Sequence, residues 1–368
     1  MPSSSGEDLG ARISALVEPL MHQLTVPGVV VAVQTPSERW LQAFGSRSLS
    51  SPDERVTSDD HFRIGSNTKT ITGTCVLQLV DEGKVGLADP VSDHLPQFTS
   101  PKLEGVTVAM LLDMTSGLAS YTQLESFNRL LDTEPHRAWR AEELVELGLA
   151  EPVHFAPGKG WDYSNTNTVM LGLVVERYDG VPLEQSFERR IFSKLGLRQT
   201  LLPAITSNTI PEPHPQGYMY GTNVSTLVTT ALPEDQQRQA QEGQLQPGDY
   251  TDLNPSWGWA AGAAISTASD LLRYVQALVM GGLISEKLQQ ERLASVKPVG
   301  DAGAGYGLAL ASFGPMLGHD GSLPGYSSFM GHDPKTDTSL IVLTTLQSSP
   351  AGAMVANEIA RPIIGELL

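Results

Sequence analysis

The chain has 368 residues, of which 40% are hydrophobic and 18% are charged, which is ordinary for a soluble globular protein. Lys and Arg total 24 against 41 Asp and Glu, so the formal net charge of −17 disfavours nucleic acid and anionic membrane surfaces as partners. The single cysteine, Cys75, excludes an internal disulfide bond, and its apolar surroundings predict a packing role.

The first ten residues are polar and lack the basic start and apolar stretch of a secretory signal. Because no window of 18 residues is continuously apolar, the sequence also predicts no membrane span. We therefore expect a cytoplasmic protein, while noting that a secreted form with its leader removed would have the same appearance.

The N-terminal part begins with an amphipathic helix over 8–23, where apolar residues recur at helical spacing. Two short runs rich in β-branched and aromatic residues, 29–33 and 40–44, predict neighbouring strands. A long apolar helix follows and ends near Glu82, because Gly83 is a typical stop signal.

The middle of the chain has a different pattern, in which short helical segments alternate with loops. Helical periodicity or composition marks 107–113, 141–150, 166–178 and 182–195. Residues 203–255 have little periodicity and much Pro, Gln, Asp and Gly. Within them we expect 234–249 to be a surface loop with little fixed structure.

Strand patterns return in the C-terminal part. A helix starts near 266–270, and three consecutive strands and a closing helix follow over 305–313, 326–332, 339–345 and 354–364. Strands at both ends with helices between them predict an α/β fold in which one antiparallel sheet is flanked by helices.

The same distribution predicts two domains. Residues 1–88 and 256–368 together form the α/β domain, which both termini build. Residues 89–255 form an inserted, mainly helical domain with a long irregular loop near 203–255.

Ser66 and Lys69 are three residues apart at the start of the long apolar helix, so they share one helix face. A helix start offers free backbone N–H groups that stabilise a developing oxyanion. A serine hydroxyl needs a base, and a lysine whose pKa burial lowers can serve as one. The pattern alone is common by chance, but the tight Arg63-Ile-Gly approach and the apolar helix indicate a buried site.

Tyr163 and Asn165 follow a turn-rich segment, 156–161, that presents the tyrosine from a loop. A lysine ammonium next to the phenol favours its phenolate form, so the tyrosine can take and return protons. The amide of Asn165 can bind a substrate carbonyl. A core tyrosine with a satisfied hydroxyl is the structural alternative.

His319-Asp-Gly-Ser322 precedes the strand that begins near Tyr326. The glycine allows a substrate to approach the strand backbone, and the Ser322 N–H can join that of Ser66 in an oxyanion hole. A plain Asp-Gly turn is the alternative reading of this tetrapeptide.

These three motifs, in this order, resemble the penicillin-recognising serine enzymes, which comprise serine β-lactamases and penicillin-binding proteins. The Tyr-x-Asn and His-x-Gly forms are closer to the class C β-lactamase, DD-peptidase and esterase branch, and most similar to secreted actinomycete DD-carboxypeptidases/transpeptidases. The resemblance covers most of the chain apart from 203–255. It implies a β-lactamase/transpeptidase-like fold, a cleft between two domains, and acyl-enzyme chemistry without a metal or organic cofactor.

The resemblance also implies a role for each site residue. The catalytic residues would be Ser66 as nucleophile, Lys69 as general base and Tyr163 as proton shuttle to the leaving group. The resemblance implies substrate binding by Asn165, His319 and Trp257, and an oxyanion hole formed by Ser66 and Ser322. Asp320, which departs from the family pattern, is also expected at the substrate, where it could receive an ammonium group or leave a neutral leaving-group site. His319 would hold the tyrosine and lysine network from the strand side, and Trp257 would lie on the rim of the cleft.

Two departures from the DD-carboxypeptidase pattern bear on the substrate. Asp320 replaces the hydroxyl residue at the middle of the His-x-Gly triplet, and 305–318 contain no Arg or Lys to hold a substrate carboxylate. A second carboxylate about 4 Å away would cost roughly 1–4 kcal/mol. We therefore expect a poor DD-carboxypeptidase and a poor β-lactamase, unless Asp320 turns away and caps a nearby turn.

The expected function is hydrolysis of an ester or amide, as in an esterase or a D-amino-acid amidase, with a small-molecule or short-peptide acyl substrate. A biosynthetic acyltransferase shares the first half-reaction and stays an alternative. A non-catalytic ligand-binding relative is a third, disfavoured by the intact motifs. Metal-dependent hydrolysis has little support, because the eight histidines show no ligand spacing.

Overall fold

The computed structural model describes residues 5–300 and 303–368. Most of the strands in this part of the chain belong to one large sheet, and the others form two small pairs. In chain order the strands are β1 (Gly28–Gln34), β2 (Arg39–Gly45), β3 (Phe62–Arg63), β4 (Tyr218–Met219), β5 (Gly248–Asp249), β6 (Ile265–Ser266), β7 (Lys297–Val299), β8 (Ala304–Gly307), β9 (Leu310–Phe313), β10 (Met316–Leu323), β11 (Tyr326–Asp333) and β12 (Thr338–Thr344).

Helices flank the sheet and fill the middle of the chain. They are α1 (Ser5–Leu24), α2 (Thr68–Asp81), α3 (Val91–His94), α4 (Val108–Leu112), α5 (Glu125–Thr133), α6 (Ala141–Ala150), α7 (Asn165–Asp179), α8 (Leu183–Phe187), α9 (Ser193–Leu195), α10 (Asn223–Thr226), α11 (Glu234–Gln241), α12 (Trp259–Gly262), α13 (Ala268–Met280), α14 (Glu286–Ala294) and α15 (Val355–Leu367). A π-helical turn, Glu188–Phe192, joins α8 to α9, and 3-10 turns include Gly65–Asn67 and Pro255–Trp257. Among the residues described, none of the helices has the length and hydrophobicity that crossing a membrane requires.

The large sheet has the strand order β2-β1-β12-β11-β10-β9-β8-β7, and every neighbouring pair is antiparallel. It joins β1 and β2, near the N-terminus, to strands that all lie after residue 296. The predicted α/β class, with one antiparallel sheet flanked by helices, is confirmed.

Each face of the sheet buries a different apolar set, as the alternation along β1 shows. Val29, Val31 and Val33 contact the cluster formed with α1 and α15. Val30 and Ala32 contact the larger cluster on the other face, which includes residues of α2, α7 and α13. Successive side chains of a strand point to opposite faces of the sheet. The face of each strand residue in the site can therefore be read from its register with β1, β12 and β11.

The C-terminal strands differ from the sequence prediction. The stretch 305–313, expected as one strand, is a hairpin of β8 and β9 that turns at Leu308 and Ala309, where Ala309 has a φ of +48°. Strand β10 was not predicted, because two glycines and an aspartate dominate its composition and are typical of turns.

The inserted segment is also more ordered than expected. Helix α11 lies inside 234–249, so the prediction of a loop with little fixed structure over that range is wrong. Helix α10 and the pair of β4 with β5 likewise interrupt the loop expected near 203–255. The division into domains 1–88 plus 256–368 and 89–255 stays a prediction.

Candidate active site

Ser66 lies in the 3-10 turn Gly65–Asn67, immediately before α2, and is half-buried. The side-chain amide of Asn67 donates to Ile64 O at 3.1 Å and to Ser328 Oγ at 2.8 Å, which ties the turn to β11. Gly65 has a φ of +52°, a conformation that favours glycine. The contacts of Asn67 and the backbone conformation of Gly65 therefore hold Ser66 at the N-terminal end of α2.

Lys69 lies in the first turn of α2 with its side chain fully buried. Its Nζ donates to Ser66 Oγ at 3.0 Å, to Asn165 Oδ1 at 2.7 Å and to the carbonyl oxygen of Ala261 at 2.7 Å. All three partners are uncharged oxygens. Burial therefore lowers the pKa of Lys69 to about 7, while the negative charge of Asp320 works in the opposite direction.

Tyr163 lies near both Lys69 of α2 and His319 of β10. Lys69 Nζ is 4.8 Å from the centre of the phenol ring. Burial raises the pKa of Tyr163 well above its usual range, and Tyr306 adds to the rise, while a hydrogen bond with Ser66 acts against it. The phenol therefore keeps its proton, and the phenolate that the sequence favoured is not supported, because burial disfavours the charged form.

Asn165 is the first residue of α7, and both ends of its side-chain amide are occupied. Its Oδ1 accepts from Lys69, and its Nδ2 donates to Thr122 Oγ1 at 2.9 Å and weakly to Ser120 Oγ at 3.4 Å. These contacts orient Asn165 toward the amine of Lys69. The predicted contact of Asn165 with a substrate carbonyl stays a prediction.

His319, on β10, is buried on the sheet face that packs against α2, α7 and α13, because its register partner Met330 belongs to the cluster on that face. Its Nδ1 is 2.6 Å from the carbonyl oxygen of Asp320, and its Nε2 is 3.2 Å from the hydroxyl of Tyr306. Burial lowers the pKa of His319 to about 4, so the imidazole is neutral near pH 7. The ring centres of His319 and Tyr163 are 6.1 Å apart.

Asp320 is next in β10, and its side chain lies on the opposite face of the sheet. It pairs in register with Phe329, which belongs to the cluster packed by α1 and α15. The Asp320 Oδ2 accepts a hydrogen bond from Asn357 Nδ2 of α15 at 2.7 Å. This arrangement corresponds to the alternative in which Asp320 turns away from the substrate, and it removes the support for a direct repulsion of substrate carboxylates.

The backbone of β10 approaches the turn of Ser66 very closely. A Cβ atom on Gly321 would lie 2.1 Å from Ile64 O, and one on Gly65 would lie 2.9 Å from Ser322 N. Ser322 itself is exposed. The two glycines thus bring the Ser322 N–H beside the turn that carries the Ser66 N–H, where the sequence predicts an oxyanion hole.

Two tryptophans lie near these residues. Trp257 is half-buried in the turn Pro255–Trp257, and its carbonyl oxygen accepts from Tyr121 Oη at 2.6 Å. Trp161 is 38% exposed, and its ring centre lies 5.9 Å from that of Tyr306. Trp161 therefore covers part of the aromatic cluster behind Tyr163 from the solvent side.

The structure brings Ser66, Lys69, Tyr163 and Asn165 together, and it places His319 behind Tyr163. Sequence reasoning missed Tyr306 and the Ala261 carbonyl. Tyr306 is an aromatic residue between two glycines, which is a weak local signal, and a backbone carbonyl has no signal in the sequence at all.

Comparison with known proteins identifies the family of the chain. A family model described as Beta-lactamase matches residues 13–362. Esterase EstB of Burkholderia gladioli is 30% identical over 75% of this chain and 71% of its own length.

Solved structures with the same fold include two amide hydrolases. A D-stereospecific amidohydrolase from Streptomyces sp. is 30% identical and superposes with a TM-score of 0.78, covering 95% of this chain and 97% of its own. The D-amino acid amidase from Ochrobactrum anthropi SV3 is 26% identical with a TM-score of 0.79, covering 98% of each chain. The resemblance inferred from the motifs is confirmed: the chain belongs to the Beta-lactamase family and is a serine hydrolase.

Proposed function

We propose that the protein hydrolyses carboxylic esters or amides through an acyl-enzyme on Ser66, with Lys69 as base and Tyr163 as acid. The observation that carries this proposal is the contact of 3.0 Å between the fully buried Lys69 Nζ and Ser66 Oγ. A lysine with a pKa of about 7 is partly neutral at physiological pH and can accept the serine proton.

The three contacts of the Lys69 amine suit this role. A neutral amine has two N–H groups and one lone pair. The N–H groups can stay bonded to Asn165 Oδ1 and Ala261 O, which only accept, while the lone pair faces Ser66 Oγ. The proton moves from Ser66 to Lys69 as the serine oxygen bonds to the substrate carbonyl carbon.

The oxyanion that results needs hydrogen-bond donors. Its place is beside the N–H groups of Ser66 and Ser322, whose backbones the close approach of Gly321 and Gly65 brings together. Such preorganised donors are worth about 3–4 kcal/mol of transition-state stabilisation each.

Expulsion of the leaving group requires an acid. Tyr163 keeps its proton in the resting protein, so it can donate that proton to the departing alkoxide or amine. The Lys69 ammonium then returns a proton to the phenolate, which restores both groups. Water attacks the acyl-enzyme in the second half-reaction and releases the acid from Ser66.

The substrate class follows from charge. Residues 303–333 carry no Arg or Lys, so the strands beside Ser66 offer no cationic side chain to a substrate carboxylate. The net charge of −17 also disfavours anionic substrates. We therefore assign uncharged or amine-bearing esters and amides, in keeping with the esterase and D-amino acid amidase relatives, and not penicillins or peptides with a free C-terminus.

A substrate panel tests this proposal. Purified protein is incubated with p-nitrophenyl esters of short acids, D-phenylalanine amide, nitrocefin and an acyl-D-Ala-D-Ala peptide, with Ser66→Ala as the blank. We expect kcat/KM for an ester or the amide to exceed that for both carboxylate substrates by at least about tenfold, equivalent to about 1.4 kcal/mol. Efficient release of D-Ala or rapid nitrocefin turnover contradicts the assignment. Transfer of the acyl group to other acceptors and the cytoplasmic location stay predictions from the sequence.

A further inference from the structure

We infer that Tyr306 is a positioning residue, whose hydroxyl fixes the orientation of His319 and whose ring fixes Tyr163 for acylation. This inference rests on the proposed function, in which Tyr163 acts as the acid. Tyr306 lies on β8, two strands from His319 in the sheet order, and is 5% exposed. Its ring and hydroxyl contact His319, Tyr163 and Trp161.

The hydrogen bonds of His319 define one tautomer. The carbonyl oxygen of Asp320 can only accept, so the Nδ1 atom 2.6 Å away carries the imidazole proton. The Nε2 atom then has a lone pair, and the Tyr306 hydroxyl at 3.2 Å donates to it. Without that hydroxyl the buried Nε2 loses the donor that this structure gives it.

The rings form a compact cluster. Tyr306 meets His319 edge-on at a centre distance of 5.6 Å and an interplanar angle of 89°, and meets Tyr163 at 6.0 Å and 90°. Edge-to-face contacts of this kind are favourable for aromatic rings. Tyr306 therefore packs against both His319 and Tyr163 and restricts their relative orientation. Trp161 contacts the ring of Tyr306 from the solvent side.

The fold holds Tyr306 rigidly. The flanking Gly305 and Gly307 allow close approach, since a Cβ on Gly307 would lie 2.3 Å from Ser295 Oγ. The turn that follows is anchored by the buried guanidinium of Arg292, which donates to Leu308 O at 3.1 Å and Ala309 O at 3.0 Å. Such anchoring suits a residue that sets the position of another.

The charges near His319 explain why its protonation state matters for catalysis. The groups on its face of the sheet are Lys69 from α2, Tyr163 from the loop before α7 and Tyr306 from β8. The carboxylate of Asp320 points to the other face, but its Oδ1 is still 3.6 Å from the Nδ1 of His319. A proton on His319 would place a second cation beside Lys69. Burial and the charge of Lys69 both favour neutral His319, and the neutral form has the Nε2 lone pair that accepts from Tyr306.

Tyr306→Phe is the direct test, because it keeps the ring and removes only the hydroxyl. Tyr178→Phe is a matched control: Tyr178 Oη lies 2.7 Å from His94 Nδ1, and their rings are 5.6 Å apart. That pair lies near the other end of α7, about 20 Å along the helix from Asn165. The readouts are kcat and KM for a p-nitrophenyl ester, and the ring ¹⁵N NMR signals of His319, assigned with His319→Asn.

We expect Tyr306→Phe to lower kcat about 10- to 100-fold with KM within about twofold, as a misplaced catalytic group does. The ¹⁵N signal of Nε2 should change position because its lone pair loses the donor, while Nδ1 stays protonated beside the Asp320 carbonyl oxygen. Tyr178→Phe should change neither. Unchanged kcat, or an Nε2 signal of His319 that is the same with and without the Tyr306 hydroxyl, overturns the inference. Failure of the wild-type protein to acylate at Ser66 would instead reject the proposed function, and the NMR comparison would still test the Tyr306 contact.

Discussion

The amine of Lys69 contacts the hydroxyl oxygen of Ser66 at 3.0 Å, although Lys69 has no exposed surface and all of its polar partners are uncharged. Neighbouring positions on the same helix face bring the two groups together, and the tertiary structure then desolvates the amine. The chemistry of the site thus depends on the three-residue spacing of Ser66 and Lys69 and on the burial of the Lys69 amine by the fold.

The pH dependence of turnover follows from this contact. Lys69 must be neutral to accept the serine proton, and its pKa is about 7. The value of kcat/KM should therefore fall as pH drops below about 7, with a slope near one, since kcat/KM reports ionisations of the free enzyme. A stopped-flow profile from pH 5 to 9 with an uncharged ester measures it.

Asp320→Asn is the companion variant for this profile. The carboxylate of Asp320 raises the pKa of Lys69, so its removal should move the acidic limb to lower pH. The hydrogen bond from Asn357 can persist, because an amide oxygen also accepts. An acidic limb that stays in place, or one that moves to higher pH, contradicts this electrostatic role of Asp320.

The buried amine should also reduce the stability of the fold. The pKa of Lys69 is about 7 in the folded protein against 10.5 for an unperturbed lysine, so between these values the unfolded state binds more protons. Wild-type stability therefore rises with pH in that window relative to Lys69→Met. The free energy of unfolding of Lys69→Met should exceed that of the wild type most below pH 7. This difference should shrink by about 3–5 kcal/mol towards pH 10.5.

Urea unfolding of both proteins between pH 6 and pH 10 measures this difference. Lys69→Met also leaves Asn165 Oδ1 and Ala261 O without the amine, which adds a constant offset. The pH dependence of the difference is the informative quantity. A difference that is the same at all pH values would show that Lys69 is not desolvated.

Tyr163→Phe should reduce acylation of Ser66 by at least about a hundredfold, the low end for general acid–base catalysis. The ring contacts with Tyr306 and His319 persist in this variant, so the fold should be unaffected. Burst kinetics with a p-nitrophenyl ester separates acylation from hydrolysis of the acyl-enzyme. Near-normal acylation would remove Tyr163 from the mechanism.

Gly321→Ala tests the close contact of β10 with the Ser66 turn. The added Cβ would lie 2.1 Å from Ile64 O, so the strand must shift. We expect a loss of about 1–3 kcal/mol in the free energy of unfolding and, because Ser322 N moves, about a hundredfold loss in kcat. Gly365→Ala, where a Cβ meets no atom within 4 Å, is the control. Equal behaviour of the two variants would argue against this tight approach.

Sequence patterns predicted the site where it depends on short spacings. Ser66 and Lys69 share a helix turn, and Tyr163 and Asn165 bracket the start of α7. The fold class also followed from the sequence, because β-branched runs and helical periodicity are local signals. Most helices of the middle segment lie where periodicity predicted them, as α6 over Ala141–Ala150 shows.

The features of the site that the sequence did not predict depend on contacts between residues that are far apart in the chain. Tyr306 and His319 meet only because β8 and β10 lie in one sheet with β9 between them. The direction of the Asp320 side chain depends on the strand register, since a shift by one residue would exchange the faces. The protonation of Tyr163 depends on how deeply the fold buries it, which no spacing encodes. Helix α11 was missed because its sequence is almost entirely polar.

The most direct test of the account is whether Ser66 becomes acylated. The full-length protein is incubated with a fluorophosphonate and, separately, with an activated ester, and intact mass and peptide mapping locate the adduct, with Ser66→Ala and the exposed-site variant Ser37→Ala as controls. We predict one adduct per chain on Ser66 in the wild type and in Ser37→Ala, and none in Ser66→Ala. An adduct on another residue, or no adduct with either reagent while the protein is folded, contradicts the account.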